Sequence, residues 1–312
     1  MKKLILITVA FVMILILSQS IKAQNIVSQY QKINSNGLDI YYRIFGEGYP
    51  ILIIGGGPGD TSDRYLSLCE LLSKEFQCVL VEQRGCGKSA PAVYDSSTVS
   101  IALTLEDFEA LRNHLGIKQW TALGFSYGGY LASLYAHFYP SSIVSLILMD
   151  SMGLNTNVFG HFIDNINSKL QATDLDLFEY WNDSSRVAQN PKHALVERIR
   201  ARMPGYFYDR KKSLIVSEEM KDSHFNFEVG QLIWPDIVKR NLDLAEMECN
   251  YNGAILILHG RQDPLGESVA QELHRYYKNS KLIFVEKAGH YSWVEQPEKI
   301  FSSIKEFLQG SK

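Results

Sequence analysis

Short apolar runs recur along the chain with amphipathic stretches between them, a pattern that predicts buried strands alternating with helices. Residues 50–54, 76–81, 142–149, 254–258 and 281–285, and the run that starts at Trp120, read as strands, most of them apolar on both faces. Between them, residues 62–74, 103–115, 130–138, 267–277 and 297–308 carry helical spacing. Strand, helix and strand at these separations imply parallel pairing in a layered α/β architecture. Ahead of this series, the alternation at Leu38, Ile40 and Tyr42 after an Asn/Gly turn predicts a hairpin at the edge of the sheet.

The pattern changes between residues 152 and 247, where helical periods such as that of residues 193–203 dominate and no buried strand is legible. The chain therefore divides into an α/β core of residues 24–151 and 248–312 and an inserted helical cap of residues 152–247. Neither repeats nor low-complexity linkers suggest a second independent domain.

Residues 1–23 are set apart. Lys2 and Lys3 precede an apolar run over residues 4–17 and then a more polar stretch, the three regions of a secretory signal. The run is shorter than the roughly 20 residues that span a bilayer. Cleavage is expected after Ala23, with Ser20 as the other position, giving a secreted or periplasmic protein without stable membrane association; the competing expectation is a tether formed by an uncleaved signal anchor. Removing the segment takes away Lys2, Lys3 and Lys22 and no acid.

Composition narrows the function classes. With 46% hydrophobic and 21% charged residues among 312, the chain is of ordinary globular type. Its 31 basic and 34 acidic residues form no block of like charge, which argues against a nucleic-acid partner. Cys69, Cys78, Cys86 and Cys249 lack metal-ligand spacing and are expected to be mostly buried thiols. His114, His161, His193, His224 and His274 likewise show no such spacing. No metal or cofactor is expected.

The candidate chemistry lies at strand ends. The run from Trp120 ends in Gly124-Phe125-Ser126-Tyr127-Gly128-Gly129 and passes directly into a helix, the setting in which Gly-x-Ser-x-Gly places a nucleophilic serine on a tight, strained turn. Gly124 and Gly128 remove side chains that would collide with the neighbouring strand and helix, and the Tyr127 N–H faces the position of a developing oxyanion. The strand over 50–54 empties into Gly55-Gly56-Gly57-Pro58-Gly59-Asp60, which fits neither a phosphate loop nor a dinucleotide loop and reads instead as the other half of an oxyanion hole. Gly85-Cys86-Gly87-Lys88-Ser89 lacks the spacing of a phosphate loop as well.

A serine hydroxyl needs a base to take its proton and a third group to orient that base. Asp263 and His290 each follow a predicted strand, and in a parallel sheet those ends share an edge with Ser126. Asp150 is the alternative acid; His259 is read as a satisfied structural histidine and His137 as a packing residue.

These motifs place the resemblance. From about Gly46 onward the chain resembles the α/β-hydrolase superfamily, and Gly55-Gly56-Gly57-Pro58-Gly59, Glu82-Gln83-Arg84-Gly85-Cys86-Gly87-Lys88-Ser89 and the Ser126 turn resemble the proline iminopeptidases. Gly55, Glu82 and Tyr127 stand where that family has His, Asp and Trp. The resemblance implies a mostly parallel sheet flanked by helices, an oxyanion hole of the Gly57 and Tyr127 N–H groups, and cap acids that bind a free amino group. Glu179, Asp183, Glu218, Glu219, Asp222 and Glu228 are the candidates for those acids, and Trp181 and Trp234 are expected to line the pocket. The expected substrate is a short peptide or small molecule: first a peptide with an N-terminal proline or small residue, next a small acyl ester for a carboxylesterase. A non-catalytic receptor is the reading from another class.

Overall fold

The computed structural model describes residues 28–310; the segment read as a signal lies outside the described residues. Eight strands form one sheet: β1 (Gln31–Ser35), β2 (Leu38–Phe45), β3 (Tyr49–Ile54), β4 (Phe76–Val81), β5 (Trp120–Phe125), β6 (Ile143–Met149), β7 (Ala254–Gly260) and β8 (Ser280–Val285). Their order is β1-β2-β4-β3-β5-β6-β7-β8, antiparallel where β2 meets β1 and β4 and parallel elsewhere. Asn36 and Gly37 both take positive φ, 49° and 76°, as a two-residue hairpin turn requires, so β1 forms the expected edge.

The central strands are apolar on both faces because helices cover both. On β3, Leu52 and Ile54 join one buried cluster with Phe108 and Leu111 of α2 (Ile101–His114) and Leu131 and Leu134 of α3 (Tyr127–Phe138). Ile51 and Ile53 point the other way, toward Leu68 and Leu72 of α1 (Leu66–Leu72) and toward Ile300 and Ile304 of the C-terminal helix (Pro297–Gly310). The period-two alternation of a strand thus sorts one sequence run between two cores.

Between β6 and β7 the chain forms six α-helices and no strand: α4 (Phe159–Asn167), α5 (Ala172–Asn182), α6 (Ser184–Gln189), α7 (Pro191–Tyr206), α8 (Arg210–Glu219) and α9 (Phe227–Lys239). Its two ends are joined by the Leu244 N–H donating to the Leu154 carbonyl at 3.0 Å. It meets the core at the glycine-rich loop, where the Asn226 N–H donates to Gly59 and the Thr61 N–H to His224. After β7, α10 (Glu267–Tyr276) packs on the sheet, and a short α11 (Ser292–Glu295) precedes the C-terminal helix, α12 (Pro297–Gly310). No helix among the described residues is long and apolar enough to cross a membrane.

The segment that follows β4 holds these loops in place. Glu82 accepts from the Ser62 N–H and hydroxyl at 2.9 and 2.7 Å, and Gln83 Nε2 donates to the Gly55 carbonyl at 2.9 Å. Arg84 is buried and grips Asp107 with two bonds of 2.9 and 2.6 Å while donating to the Thr98 and Ser35 carbonyls. Removing one member of a buried pair strands the other, so Arg84→Met is expected to cost about 3–5 kcal/mol of stability, read by urea unfolding.

Candidate active site

Ser126 sits between β5 and α3 with φ 56° and ψ −121°, a strained conformation for a residue with a side chain. Packing enforces it. A Cβ on Gly124 would fall on the backbone of Gly128, and one on Gly128 would fall on the carbonyls of Ile54 and Gly55, so strand, turn and helix approach at backbone distance. The Ser126 N–H donates to the Met149 carbonyl at 3.1 Å, which ties the turn to the end of β6.

The sequence candidates converge here. His290 Nε2 lies 3.0 Å from Ser126 Oγ, and His290 Nδ1 lies 2.8 Å from Asp263 Oδ2. Asp263 and His290 are both buried. The other Asp263 oxygen accepts from the Leu265 N–H at 2.8 Å. Burial alone would push this carboxyl up, but the charges of His290 and His259 and the hydrogen bonds hold it below the ordinary value.

Asp150, the alternative acid, occupies the neighbouring strand end and does other work. It accepts from the Gly260 N–H at 2.8 Å and from the Ser292 N–H and hydroxyl at 3.2 and 2.6 Å, joining β6, β7 and the His290 loop. Burial, and then repulsion by Asp263, pushes its carboxyl well up. His259 is a buried structural residue satisfied only in part: its ring hydrogen-bonds the Gly266 backbone and Nδ1 stands 4.0 Å from Asp263 Oδ2, while Nε2 has no partner among the described residues. Asp150, His259 and Asp263 bring one ligand atom each within 4.8 Å of one another. Because the carboxylate oxygens are already hydrogen-bond acceptors, the group is a junction of strand ends.

Above Ser126 lies a cavity of about 410 Å³ whose wall includes Gly57, Tyr127 and His290. Gly57 takes φ 51°, which favours glycine, and the Tyr127 N–H belongs to the first turn of α3, where an N–H has no intrahelical acceptor. Both oxyanion candidates therefore line the same cavity as Ser126. The remaining wall is mostly aromatic, with Phe125, Phe159, Phe162, Tyr206, Phe227 and Trp234 among it. Trp181 departs from expectation: it lies outside this wall and packs edge-on against Tyr180 and His193.

None of the six acids proposed from the insertion lines the cavity. Asp222 pairs with His193 and Asp183 caps α6. The one acid in the cavity wall among the described residues is Asp60, in the glycine-rich loop; it forms an ion pair with Arg64 and accepts from the Tyr65 hydroxyl. Arg64 also donates to the Tyr291 hydroxyl at 2.7 Å and lies 4.7 Å over the Phe225 ring. Sequence reasoning named Asp60 only as the end of a loop and missed Arg64. Four-residue spacing after a glycine loop was the available signal.

It also missed Glu295. This buried carboxylate accepts from the Gly289 N–H at 2.6 Å and from the Asp209 and Tyr208 N–H groups at 2.7 and 3.2 Å, while the His290 N–H donates to the Tyr206 carbonyl at 2.7 Å. The loop carrying His290 is thereby fastened to the turn between α7 and α8.

Comparison with known proteins gives the family. The family model described as alpha/beta hydrolase fold matches residues 49–297. The chain belongs to that family. Within the alpha/beta hydrolases it is 26% identical over 304 residues to a proline iminopeptidase of Saccharolobus solfataricus, covering 91% of this chain and 93% of the relative. A proline iminopeptidase of Lactobacillus helveticus is also 26% identical, over 87% of this chain and 95% of its own. Among solved structures, the proline iminopeptidase of Mycobacterium smegmatis aligns at TM-score 0.64 and 16% identity, over 91% and 98% of the two chains. An esterase of Exiguobacterium antarcticum aligns at TM-score 0.64 and 21% identity, over 90% and 100%. Family and relatives make the chain a hydrolase.

Proposed function

We propose that the protein is a serine hydrolase that works through an acyl-enzyme. The observation that carries this reading is the continuous line from Ser126 Oγ through the His290 ring to Asp263 Oδ2, at 3.0 and 2.8 Å, directly beneath the cavity. His290 takes the proton of Ser126 as its oxygen attacks a carbonyl, Asp263 orients the ring and stabilises its charged form, and the Gly57 and Tyr127 N–H groups receive the oxyanion. The leaving group departs with the proton from His290. Water activated by the same ring then releases the acyl group.

The names of the relatives favour an aminopeptidase that frees an N-terminal proline or small residue from a short peptide. A carboxylesterase is the second reading, favoured by an apolar cavity that no acid of the insertion enters. In both, residues 152–247 act as a cap that excludes water, and residues 1–23 direct export to the periplasm or medium.

Labelling with a fluorophosphonate tests the mechanism. Mass spectrometry is expected to find one adduct on Ser126 and none on Ser126→Ala, and an unlabelled wild-type protein would leave a receptor as the better description. Prolyl and alanyl anilides beside a short-chain phenyl ester separate the two substrate classes.

A further inference from the structure

We infer that Tyr206 and Tyr291 form a leaving-group subsite that reads a neutral acceptor, a carbonyl oxygen carried one methylene beyond the atom that departs. This rests on the serine-hydrolase reading above and concerns the side of the scissile bond away from the acyl group, whether that bond is an amide or an ester. The two tyrosines flank the base. Their ring centroids lie 5.7 and 5.9 Å from that of His290, and both residues belong to the cavity wall. Neither hydroxyl has spent its proton. The Tyr206 hydroxyl makes no hydrogen bond among the described residues, and the Tyr291 hydroxyl is engaged there only as the acceptor of a 2.7 Å bond from Arg64 Nη2. Burial pushes both hydroxyls up, so each keeps its proton at neutral pH.

Their position selects the part of the substrate they read. The departing atom takes its proton from His290 Nε2, the nitrogen 3.0 Å from Ser126 Oγ, so the group beyond that atom starts against the imidazole and continues along the rings around it. Phe125 and Phe162, the other wall rings beside His290, carry no hydrogen-bonding group. Polar recognition on this side therefore falls to the tyrosines. Both are fixed before substrate arrives: Tyr291 by Arg64 and by stacking on Phe207 at 4.9 Å, Tyr206 by the His290 N–H on its carbonyl and by the edge of Phe162 at 5.6 Å. The charge nearby is already balanced, since Arg64 is paired with Asp60. Two neutral O–H donors suit a neutral carbonyl. A free carboxylate would be buried there without a cation of its own, and a purely alkyl leaving group would shut two O–H groups away from water without an acceptor.

The test compares esters of glycolamide with esters of 2-methylallyl alcohol, which has the same shape with carbon in place of the carbonyl oxygen and the amide nitrogen. Each is made with an alanyl and with an acetyl group, to serve both substrate readings. With every kcat/KM divided by that ester's own rate with hydroxide, wild type is expected to favour the glycolamide ester by about three- to tenfold, the worth of a neutral hydrogen bond. Tyr206→Phe removes one hydroxyl and leaves the backbone bond to His290 in place, and it should lower the glycolamide-to-methylallyl ratio by about threefold. A wild-type ratio near one, an unchanged ratio in a variant that labels with fluorophosphonate, or no turnover of any of the esters by a protein that labels at Ser126 would overturn the subsite. The wild-type ratio decides the matter even when the variant does not fold. A missing phosphonate adduct on wild type would instead bring down the serine mechanism, which keeps the two failures distinct.

Discussion

Ser126→Ala is expected to lower kcat by about six orders of magnitude and Asp263→Asn by about four, with KM changing far less in either. In the proposed mechanism Ser126 supplies the bond-forming oxygen, so its removal takes away the acyl-enzyme route. The asparagine keeps the shape but offers an amide where His290 Nδ1–H needs an acceptor, which favours the wrong tautomer of the ring. Asp150→Asn is the informative contrast. Asp150 has no hydrogen bond to His290 among the described residues and instead joins Gly260 to Ser292, so its replacement should lower stability more than kcat. A kcat loss from Asp150→Asn equal to that from Asp263→Asn would reverse the assignment of the acid. Asp263 has a further signature in acid. Its folded carboxyl is held below the ordinary value, so the stability it contributes is present above the unfolded pKa and lost as pH falls through the folded one. Asp263→Asn should therefore flatten the acid limb of the stability profile, measured by urea unfolding across pH.

Glu295→Ala is expected to cost about 3–5 kcal/mol, because the N–H groups of Gly289, Asp209 and Tyr208 lose their acceptor in a buried place. Activity should fall beyond what unfolding explains. Gly289 immediately precedes His290, and a catalytic group misplaced by about 1 Å can cost about a hundredfold in rate. Burial pushes the Glu295 carboxyl up, and these N–H donors draw it back down. Glu295→Gln keeps the length and one acceptor oxygen, so it should recover part of kcat. Assays at a temperature where both variants remain folded by circular dichroism separate geometry from stability, and unchanged kcat in folded Glu295→Ala would reduce the residue to a structural tie.

How far the sequence carried can be followed residue by residue. Ser126, Asp263 and His290 were legible because each ends a strand, and parallel strands deliver their ends to one edge whatever their order. The loop of Gly55–Gly59 was legible because glycines at a strand exit mark close backbone approach, here that of Gly128 to the Ile54 and Gly55 carbonyls. The insertion was readable as helices but not in its orientation: helical spacing says that Trp181 and Trp234 each have an inner face without saying what that face meets. For the same reason none of six acids chosen there reaches the cavity. Asp60 and Glu295 were hidden differently. Arg64, the ion-pair partner of Asp60, bonds Tyr291 far along the chain, and Glu295 accepts from Tyr208, 87 residues before it; no local pattern encodes such meetings. His259 shows the converse limit, since a strand-end histidine reads as satisfied until its second nitrogen is found without a partner.

The bond from the His290 N–H to the Tyr206 carbonyl ties the backbone of the proposed base to the end of α7. Were the end of α7 to lift away for product to leave, the base would lose its backbone anchor at the same moment, and Ser126 would face solvent without a proton acceptor in register. An opened molecule would then be a disarmed one.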